Sequence, residues 1–365
     1  MKNSMYLLLS LAFLSCAMAQ GSTDENACAA EPLEDYNMPL RIGTVFIILG
    51  TSSIGIFTPL LLHYFGKQDS AFIKYTLLIG KFFGTGVILA TAFVHMLPDA
   101  FNNFANPCLP AGWLSYGAFG GVFCMIASLL IQLIEFAAIA NATSINQKKA
   151  ESDAKSAVEN YKATDSITER TAFDQKNLPS HELAGDHAHE IGHFHTAGML
   201  EEGQSFRNIG TLTLELGIVM HSVIIGITLA NTGSDEFTTL LIALVFHQFF
   251  EGIALGTRIN DMNLKSFLKP AIMSIAYCIT TPLGIAIGIG IHSSFNENSP
   301  SSILAQAILD SLSAGILLYS AYVELIAMEM NHNPEFLQRS FGSKAMCFIS
   351  LYTGAGLMAL IGEWA

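Results

Sequence analysis

The chain has 365 residues, of which 51% are hydrophobic and 13% are charged, and its formal net charge is −13. A soluble globular protein carries roughly 25% charged residues, so the composition excludes an ordinary soluble domain and indicates a protein whose solvent is lipid. The acidic balance excludes a nucleic-acid-binding protein, which needs a basic surface. The apolar residues fall in blocks of about twenty or more, the length that spans a hydrocarbon core.

Residues 1–19 are typical of a secretory signal peptide. Lys2 supplies a positive charge, residues 7–14 form a short apolar run, and A-M-A at 17–19 fits a cleavage site. The alternative is a first membrane anchor, for which the apolar run is short. We therefore expect cleavage, with residues 20–41 forming an N-terminal segment outside the cytosol.

Eight further segments are apolar enough to cross a bilayer, which predicts an all-α polytopic membrane protein. They lie at about 42–64, 73–98, 112–139, 208–231, 237–257, 268–292, 302–328 and 343–363. A long polar segment at 140–207 separates three spans, within 42–139, from five spans, within 208–365. The predicted fold is therefore eight transmembrane helices in a 3+5 arrangement after a cleaved signal peptide.

The positive charges between the spans predict the orientation. Loops 99–111, 232–236 and 293–301 and the C-terminal tail contain no Lys or Arg. The loops on the other side contain Lys67, Lys74, Lys148, Lys149, Lys155, Lys162, Arg170, Lys176, Arg207, Arg258, Lys265, Lys269, Arg339 and Lys344. Because cytosolic loops carry the excess of Lys and Arg, both termini are predicted to be extracytosolic.

The polar segment 140–207 is mixed in charge and has no steady apolar periodicity, so we predict a mostly disordered cytosolic loop. It contains five closely spaced histidines: His181, His187, His189, His193 and His195. Such a density is typical of transition-metal binding, and a polar linker with incidental histidines is the alternative. Residues 189–193 fit the H-E-x-x-H motif of metalloproteases, but Gly185 and Gly192 weaken the helix that this motif requires.

Two histidines and a glutamate lie inside predicted spans, where ionisable residues are costly and usually functional. His221 lies in span four, and His247 and Glu251 lie four residues apart on one face of span five. The short connecting loop is centred on Ser234, thirteen residues from each histidine. At 1.5 Å per residue both imidazoles are expected about 20 Å below that surface, near the middle of the bilayer. Imidazole and carboxylate ligands predict a site for zinc or a neighbouring divalent metal.

Other ionisable residues lie at different depths in the spans. His95 and Asp99 form an i, i+4 pair at the extracytosolic end of span two. The remaining ones are Asp310 in the outer half of span seven and, toward the cytosol, His63, Glu135, Glu215 and Glu324. Each alone is compatible with a packed or snorkelling side chain. Together they offer ligands along a path across the bilayer.

The cysteines divide into two groups. Cys28 and Cys108 fall in segments predicted to lie outside the cytosol, so a disulfide between them is compatible with the sequence. Cys124, Cys278 and Cys347 lie in or beside the spans, and we expect them to be buried, inert thiols.

Several motifs in the spans are shared with one known family. The main ones are E-L-G-I-V-M-H-S-V-I-I-G at 215–226 and H-Q-F-F-E-G at 247–252. Supporting motifs are G-T-G-V-I-L-A-T-A-F-V-H-M-L-P-D at 84–99, T-P-L-G at 281–284, L-S-A-G-I at 312–316 and Y-V-E at 322–324. On these residues the chain resembles the ZIP (ZRT/IRT-like) family of metal transporters, in its eukaryotic plasma-membrane branch.

The resemblance implies eight helices, both termini outside, and a metal pathway between helices four and five. It implies that His221, His247 and Glu251 are primary metal ligands and that Ser222 and Gln248 are secondary ones. Asp99, on span two, matches an acidic position near the outer entrance. Because relatives with two adjacent metals carry more carboxylates, one principal site is expected here.

We therefore expect zinc uptake into the cytosol across the plasma membrane, with a secretory or vacuolar membrane as the alternative. The ion would enter past His95 and Asp99 and leave past Glu324, Glu215 and His63, where the loop histidines would capture it for regulation. Iron(II), manganese and cadmium are alternative substrates. A membrane metal sensor or an intramembrane metalloprotease is the alternative of another class. No enzyme activity and no resident cofactor are expected, and a homodimer is compatible with the sequence.

Overall fold

The computed structural model describes residues 28, 36–66, 70–171, 210–262, 268–296 and 298–364. Within these residues, eight helices are long and apolar enough to cross a membrane, which confirms the predicted number. They are α1 (Met38–Phe65), α2 (Ala71–Phe104), α3 (Phe119–Thr171), α4 (Gly210–Asn231), α5 (Ser234–Asp261), α6 (Leu268–Ile291), α7 (Pro300–Asn331) and α8 (Phe341–Ile361). The predicted signal peptide lies outside the described residues.

Two of the helices contain a π-helical stretch. In α2 it is Thr91–Met96, and in α7 it is Ser320–Asn331. π-Helical turns are rare in proteins, and those that occur are frequently found at functional sites. Each stretch carries a residue of the predicted metal path, His95 in α2 and Glu324 in α7.

Residues 140–171 differ from the prediction of a disordered loop, because they continue α3 as a helix to Thr171. This stretch contains no Gly or Pro and is rich in Ala, Lys and Glu. Once the membrane-spanning part has formed, extending a helix through such residues costs little. The described residues before 133 form one compact unit with helices α4 to α8, and residues 133–171 belong to a second unit. The rest of the predicted loop, 172–209, lies outside the described residues.

Glycines allow the helices to approach each other closely. A Cβ atom on Gly55 of α1 would lie 2.6 Å from the carbonyl oxygen of Phe249 and 3.2 Å from the Cα atom of Gly252, both on α5. Gly226 of α4 lies similarly against Gly284 of α6. Small residues at such contacts are typical of membrane helices, where lipid removes the hydrophobic drive for association. The contact between α1 and α5 matters most here, because α5 carries His247 and Glu251.

Large apolar side chains cover the outside of the bundle. Examples that are more than half exposed are Phe46, Ile54, Phe72, Leu129, Ile349 and Tyr352. A water-soluble protein rarely exposes so many large apolar residues in contiguous areas. This surface is what a lipid environment requires, in agreement with the composition.

A buried arginine holds together the start of α1 and the end of α4. The Arg41 guanidinium donates hydrogen bonds to the carbonyl oxygens of Leu229, Ala230 and Thr232, at 3.0, 2.8 and 2.6 Å. It also lies 4.2 Å from the ring centroid of Tyr36. These bonds satisfy carbonyl groups that the end of a helix leaves without partners. Arg41 therefore fixes the turn between α4 and α5.

Tyr36 reinforces the same contact. Burial raises the pKa of its phenol above the usual range, and the charge of Arg41 only partly opposes this. The hydroxyl group is therefore protonated at neutral pH and donates a hydrogen bond of 3.2 Å to the carbonyl oxygen of Ala230.

Cys28 is joined to Cys108 by a disulfide. The bond ties the N-terminal segment to the loop that follows α2, and Cys108 packs beside Phe104 and Leu109. We refer to this end of the bundle, which also carries the turn between α4 and α5, as the disulfide end. The other three cysteines in the described part of the chain are free and buried.

Candidate metal site

Three imidazoles from three helices face one another inside the bundle. They belong to His95 of α2, His221 of α4 and His247 of α5, which are 5%, 3% and 0% exposed. Their ring centroids are 5.2 Å apart for His95 and His221, 5.5 Å for His95 and His247, and 5.7 Å for His221 and His247. The structure therefore brings together the two histidines expected at equal depth and adds a third.

His95 lies deeper in the bundle than its position in the predicted span indicates. Counting residues puts it at the extracytosolic end of span two, because that span is expected to stop near residue 98. The helix instead continues to Phe104, nine residues beyond His95 and thus about 13 Å further along its axis. The imidazole of His95 contacts those of His221 and His247, so it lies beside the candidate ligands, and its place on the path of the ion stays a prediction.

Each imidazole has a carboxylate neighbour at the same distance. His247 Nε2 lies 3.4 Å from Glu251 Oε1 on the same helix, and His95 Nδ1 lies 3.4 Å from Asp99 Oδ2. His221 has its neighbour on another helix, because its Nδ1 lies 3.4 Å from an oxygen of Asp310 in α7. Asp310 and Glu251 are buried, whereas the side chain of Asp99 is 45% exposed.

Several polar atoms around this cluster are buried without a hydrogen-bond partner among the described residues. They are Nε2 of His95 and of His221, both ring nitrogens of His247, both carboxylate oxygens of Glu251, the hydroxyl of Ser222 and the side-chain amide of Gln248. Buried polar groups are nearly always paired, so such a concentration calls for an explanation. The backbone carbonyl of Gln248, in contrast, accepts a hydrogen bond from the Tyr277 hydroxyl, a partner that the sequence analysis does not find.

The donor atoms lie near one another but do not form a closed ligand shell. Among the residues that the structure describes, no three His, Cys, Asp or Glu side chains are already placed to hold one ion. Two imidazoles bound to a tetrahedral zinc at about 2.1 Å would have their ring centroids roughly 5 Å apart. The observed separations of 5.2–5.7 Å are thus close to that spacing.

A cavity of about 390 Å³ leads from the disulfide end to this cluster. Its mouth lies at Gly233 and Glu236, in the turn between α4 and α5. Its lining includes the buried His95, His221 and Asp310, together with Asp99, Asn102, Asn103 and Gln306. A small hydrated cation can therefore approach two of the three imidazoles from this end of the bundle.

The residues predicted to form an inner exit lie on three different helices. Glu324 is buried beside the start of α4, where its carboxylate contacts Gly210 and the Thr213 hydroxyl. Glu215 is buried in α4, and His63 lines a cavity of about 790 Å³ at the opposite end of the bundle.

The five loop histidines, His181, His187, His189, His193 and His195, lie outside the described residues. The H-E-x-x-H match therefore lies outside them as well.

Four charged residues, which the sequence analysis does not single out as a group, form a network at the end of the bundle opposite the disulfide. Lys81 of α2 pairs with Asp261 of α5 at 2.8 Å and with Glu329 of α7 at 2.9 Å. Arg258 of α5 lies 3.8 Å from each of the same carboxylates. A lysine inside an apolar span is the sequence signal that could have identified this network. The network connects three helices.

We expect Lys81→Met to lower the thermal stability of the protein clearly. The change leaves the more distant Arg258 as the positive charge beside Asp261 and Glu329. Breaking a largely buried ion pair costs about 1–3 kcal/mol after allowance for partial exposure. The matched control is Glu335→Gln, because Glu335 pairs with Arg339 on the surface and its side chain is 77% exposed. The melting temperatures of both variants in detergent, followed by size-exclusion chromatography, measure the effect. Equal melting temperatures for the two variants would contradict the structural role of the network.

Comparison with known proteins places the chain in a family. The family described as "ZIP Zinc transporter" matches residues 38–362, and the chain therefore belongs to the ZIP family. "Zinc-regulated transporter 1" of Schizosaccharomyces pombe is 34% identical over 92% of this chain and 88% of its own length. The protein of the same name from Candida albicans is 34% identical over 91% of this chain, which spans only 62% of that relative. "Fe(2+) transport protein 3, chloroplastic" of Arabidopsis thaliana is 35% identical over 78% of this chain and 76% of its own length.

Proposed function

We propose that this protein carries divalent metal ions, zinc above all, across a membrane into the cytosol. One observation carries the proposal: three buried imidazoles lie against one another among unpaired nitrogen and oxygen atoms, and two of them, those of His95 and His221, line an open cavity. A cation would give these atoms the partners that they lack. The membership of the family described as "ZIP Zinc transporter" and the relatives named zinc-regulated transporters support zinc as the substrate.

In this proposal, His221, His247 and Glu251 bind the ion first. Nitrogen and carboxylate oxygen are good ligands for zinc, and iron(II) accepts the same set. Ser222 and Gln248 are the secondary ligands, and the lack of hydrogen-bond partners for their side chains supports this role. His95 joins the same site, and Asp99 in the cavity wall attracts the cation from outside.

The proposed orientation puts both termini outside the cell and the protein in the plasma membrane. Two independent features support it. Lys and Arg are absent from the loops at the disulfide end, as the positive-inside rule requires of extracytosolic loops. The Cys28–Cys108 disulfide lies at that same end, and disulfides are typical of oxidising compartments. The open cavity would then face the outside.

The inner part of the path is proposed from chemistry alone. After leaving the cluster, the ion would pass Glu324, Glu215 and His63 and be captured by the histidines of the long cytosolic loop, which would regulate uptake. Iron(II) is the second candidate substrate, since a relative of similar identity is named an iron transport protein.

Zinc flux into proteoliposomes tests the proposal. Liposomes that contain the purified full chain should accumulate radioactive zinc well above the level of protein-free liposomes. The decrease in zinc uptake caused by a tenfold excess of iron(II), manganese or cadmium should rank these ions as competitors. The variant His189→Ala should transport at the wild-type rate, which separates transport from a metalloprotease that uses H-E-x-x-H. Uptake no greater than in protein-free liposomes, with correctly folded protein, would overturn the proposal.

A further inference from the structure

The buried carboxylate of Asp310 stands apart from the proposed ligands. It lies on α7, whereas the proposed primary ligands lie on α4 and α5, and it is 6% exposed. Its oxygen Oδ1 lies 3.4 Å from Nδ1 of His221. Within the described residues it forms no ion pair with a Lys or Arg, so the imidazole is its charged or polar partner.

We propose that Asp310 is a positioning residue that sets the tautomer and ring orientation of His221 for metal binding. This inference rests on the proposed function.

The chemistry of imidazole explains how the contact acts. A neutral imidazole carries a proton on one ring nitrogen and an available lone pair on the other. A hydrogen-bond acceptor beside one nitrogen favours the tautomer that carries the proton on that nitrogen. A carboxylate only accepts, so Asp310 favours the proton of His221 on Nδ1. The lone pair is then on Nε2, the atom through which a metal would be bound.

The surroundings of His221 Nε2 agree with this assignment. That atom is buried and has no hydrogen-bond partner in the described part of the chain. The ring that carries it contacts the rings of both His95 and His247. The nitrogen that lacks a partner is therefore the one that Asp310 would leave free for a cation. Removal of a carboxylate that holds a metal-binding histidine in this way lowers metal affinity about 10–100-fold.

Two other roles for Asp310 make different predictions. If Asp310 bound the ion directly, or attracted it only by charge, the neutral Asp310→Asn would be as harmful as Asp310→Ala. A positioning role requires only an acceptor oxygen, which the Asn side chain retains. Glu236→Gln removes a carboxylate from the mouth of the same cavity, and thus measures what charge alone contributes.

Zinc binding by the full chain in detergent, titrated against a chromophoric chelator, tests the proposal. Asp310→Ala should weaken zinc affinity 10–100-fold, while Asp310→Asn and Glu236→Gln should stay within about threefold of the wild type. In a His221→Ala background, Asp310→Ala should weaken the remaining affinity by less than about threefold, because its effect passes through His221.

A loss of tenfold or more in Asp310→Asn, or an equal loss from Asp310→Ala with and without His221, would overturn the positioning role. If Asp310→Ala does not fold, the Asn variant decides alone by the same tenfold criterion. Failure of the proposed function gives a different result, namely that the wild-type protein itself neither binds nor transports zinc.

Discussion

Glu251→Gln should reduce zinc uptake into proteoliposomes by about 100-fold or more, and His247→Ala should do the same. Glu251 is 1% exposed, and in the described part of the chain its carboxylate lies 3.4 Å from Nε2 of His247 without a well-formed hydrogen bond. A buried carboxylate in this state is costly unless a cation compensates it. Gln keeps the shape of Glu but not the charge, so the variant separates ligand chemistry from packing. Loss of an outer partner of a metal ligand already costs about 10–100-fold, so loss of a ligand itself should cost at least as much.

The control for Glu251→Gln lies on the same helix. Glu236, near the start of α5, is exposed at the mouth of the cavity, and Glu236→Gln should keep nearly the full rate of uptake. Size-exclusion profiles in detergent establish that each variant is folded. Wild-type uptake by folded Glu251→Gln and His247→Ala would rule out this cluster as the transport site.

Gly55→Ala should both destabilise the protein and impair transport. The added Cβ would lie 2.6 Å from the carbonyl oxygen of Phe249, a backbone atom that no side-chain rotation can move. Helix α1 must then separate from α5, and overpacking of this kind costs about 1–3 kcal/mol. Phe249 lies between the two proposed ligands of α5, so the shift would also displace His247 and Glu251 from His221.

Gly50→Ala is the matched control, because it lies one and a half turns earlier in the same helix and a Cβ there would meet no atom within 4 Å. Ala is a better helix former than Gly by about 1 kcal/mol, so this variant should be as stable as the wild type or slightly more stable. Melting temperatures in detergent and uptake rates, measured on both variants, check the prediction. A Gly55→Ala protein that melts and transports like Gly50→Ala would show that the contact between α1 and α5 is not tight.

The sequence alone predicts those parts of the fold that depend on local pattern. Eight apolar segments predict eight helices because each span must satisfy its own backbone hydrogen bonds in lipid. The extent of α3 was harder to predict, because polar residues that favour a helix and polar residues of a disordered loop differ little in composition. The continuation to Thr171 became clear only in the structure.

Part of the candidate site can likewise be predicted from local pattern. His247 and Glu251 share a face because they are four residues apart on one helix, and His221 joins them because a short turn makes α4 and α5 antiparallel neighbours. Residue counting was sufficient for these three, since each step depends only on helix geometry.

Contacts between helices that are distant in the sequence were decided by the tertiary structure alone. The approach of His95 to His221, the pairing of His221 with Asp310, and the joining of α2, α5 and α7 through Lys81 are of this kind. Apolar periodicity shows that a span faces lipid but not which neighbour it packs against, because lipid and a neighbouring helix are similarly apolar. The sequence by itself thus determined the class of protein and the three central candidate ligands. Only the packing of the bundle decided which side chains surround those ligands.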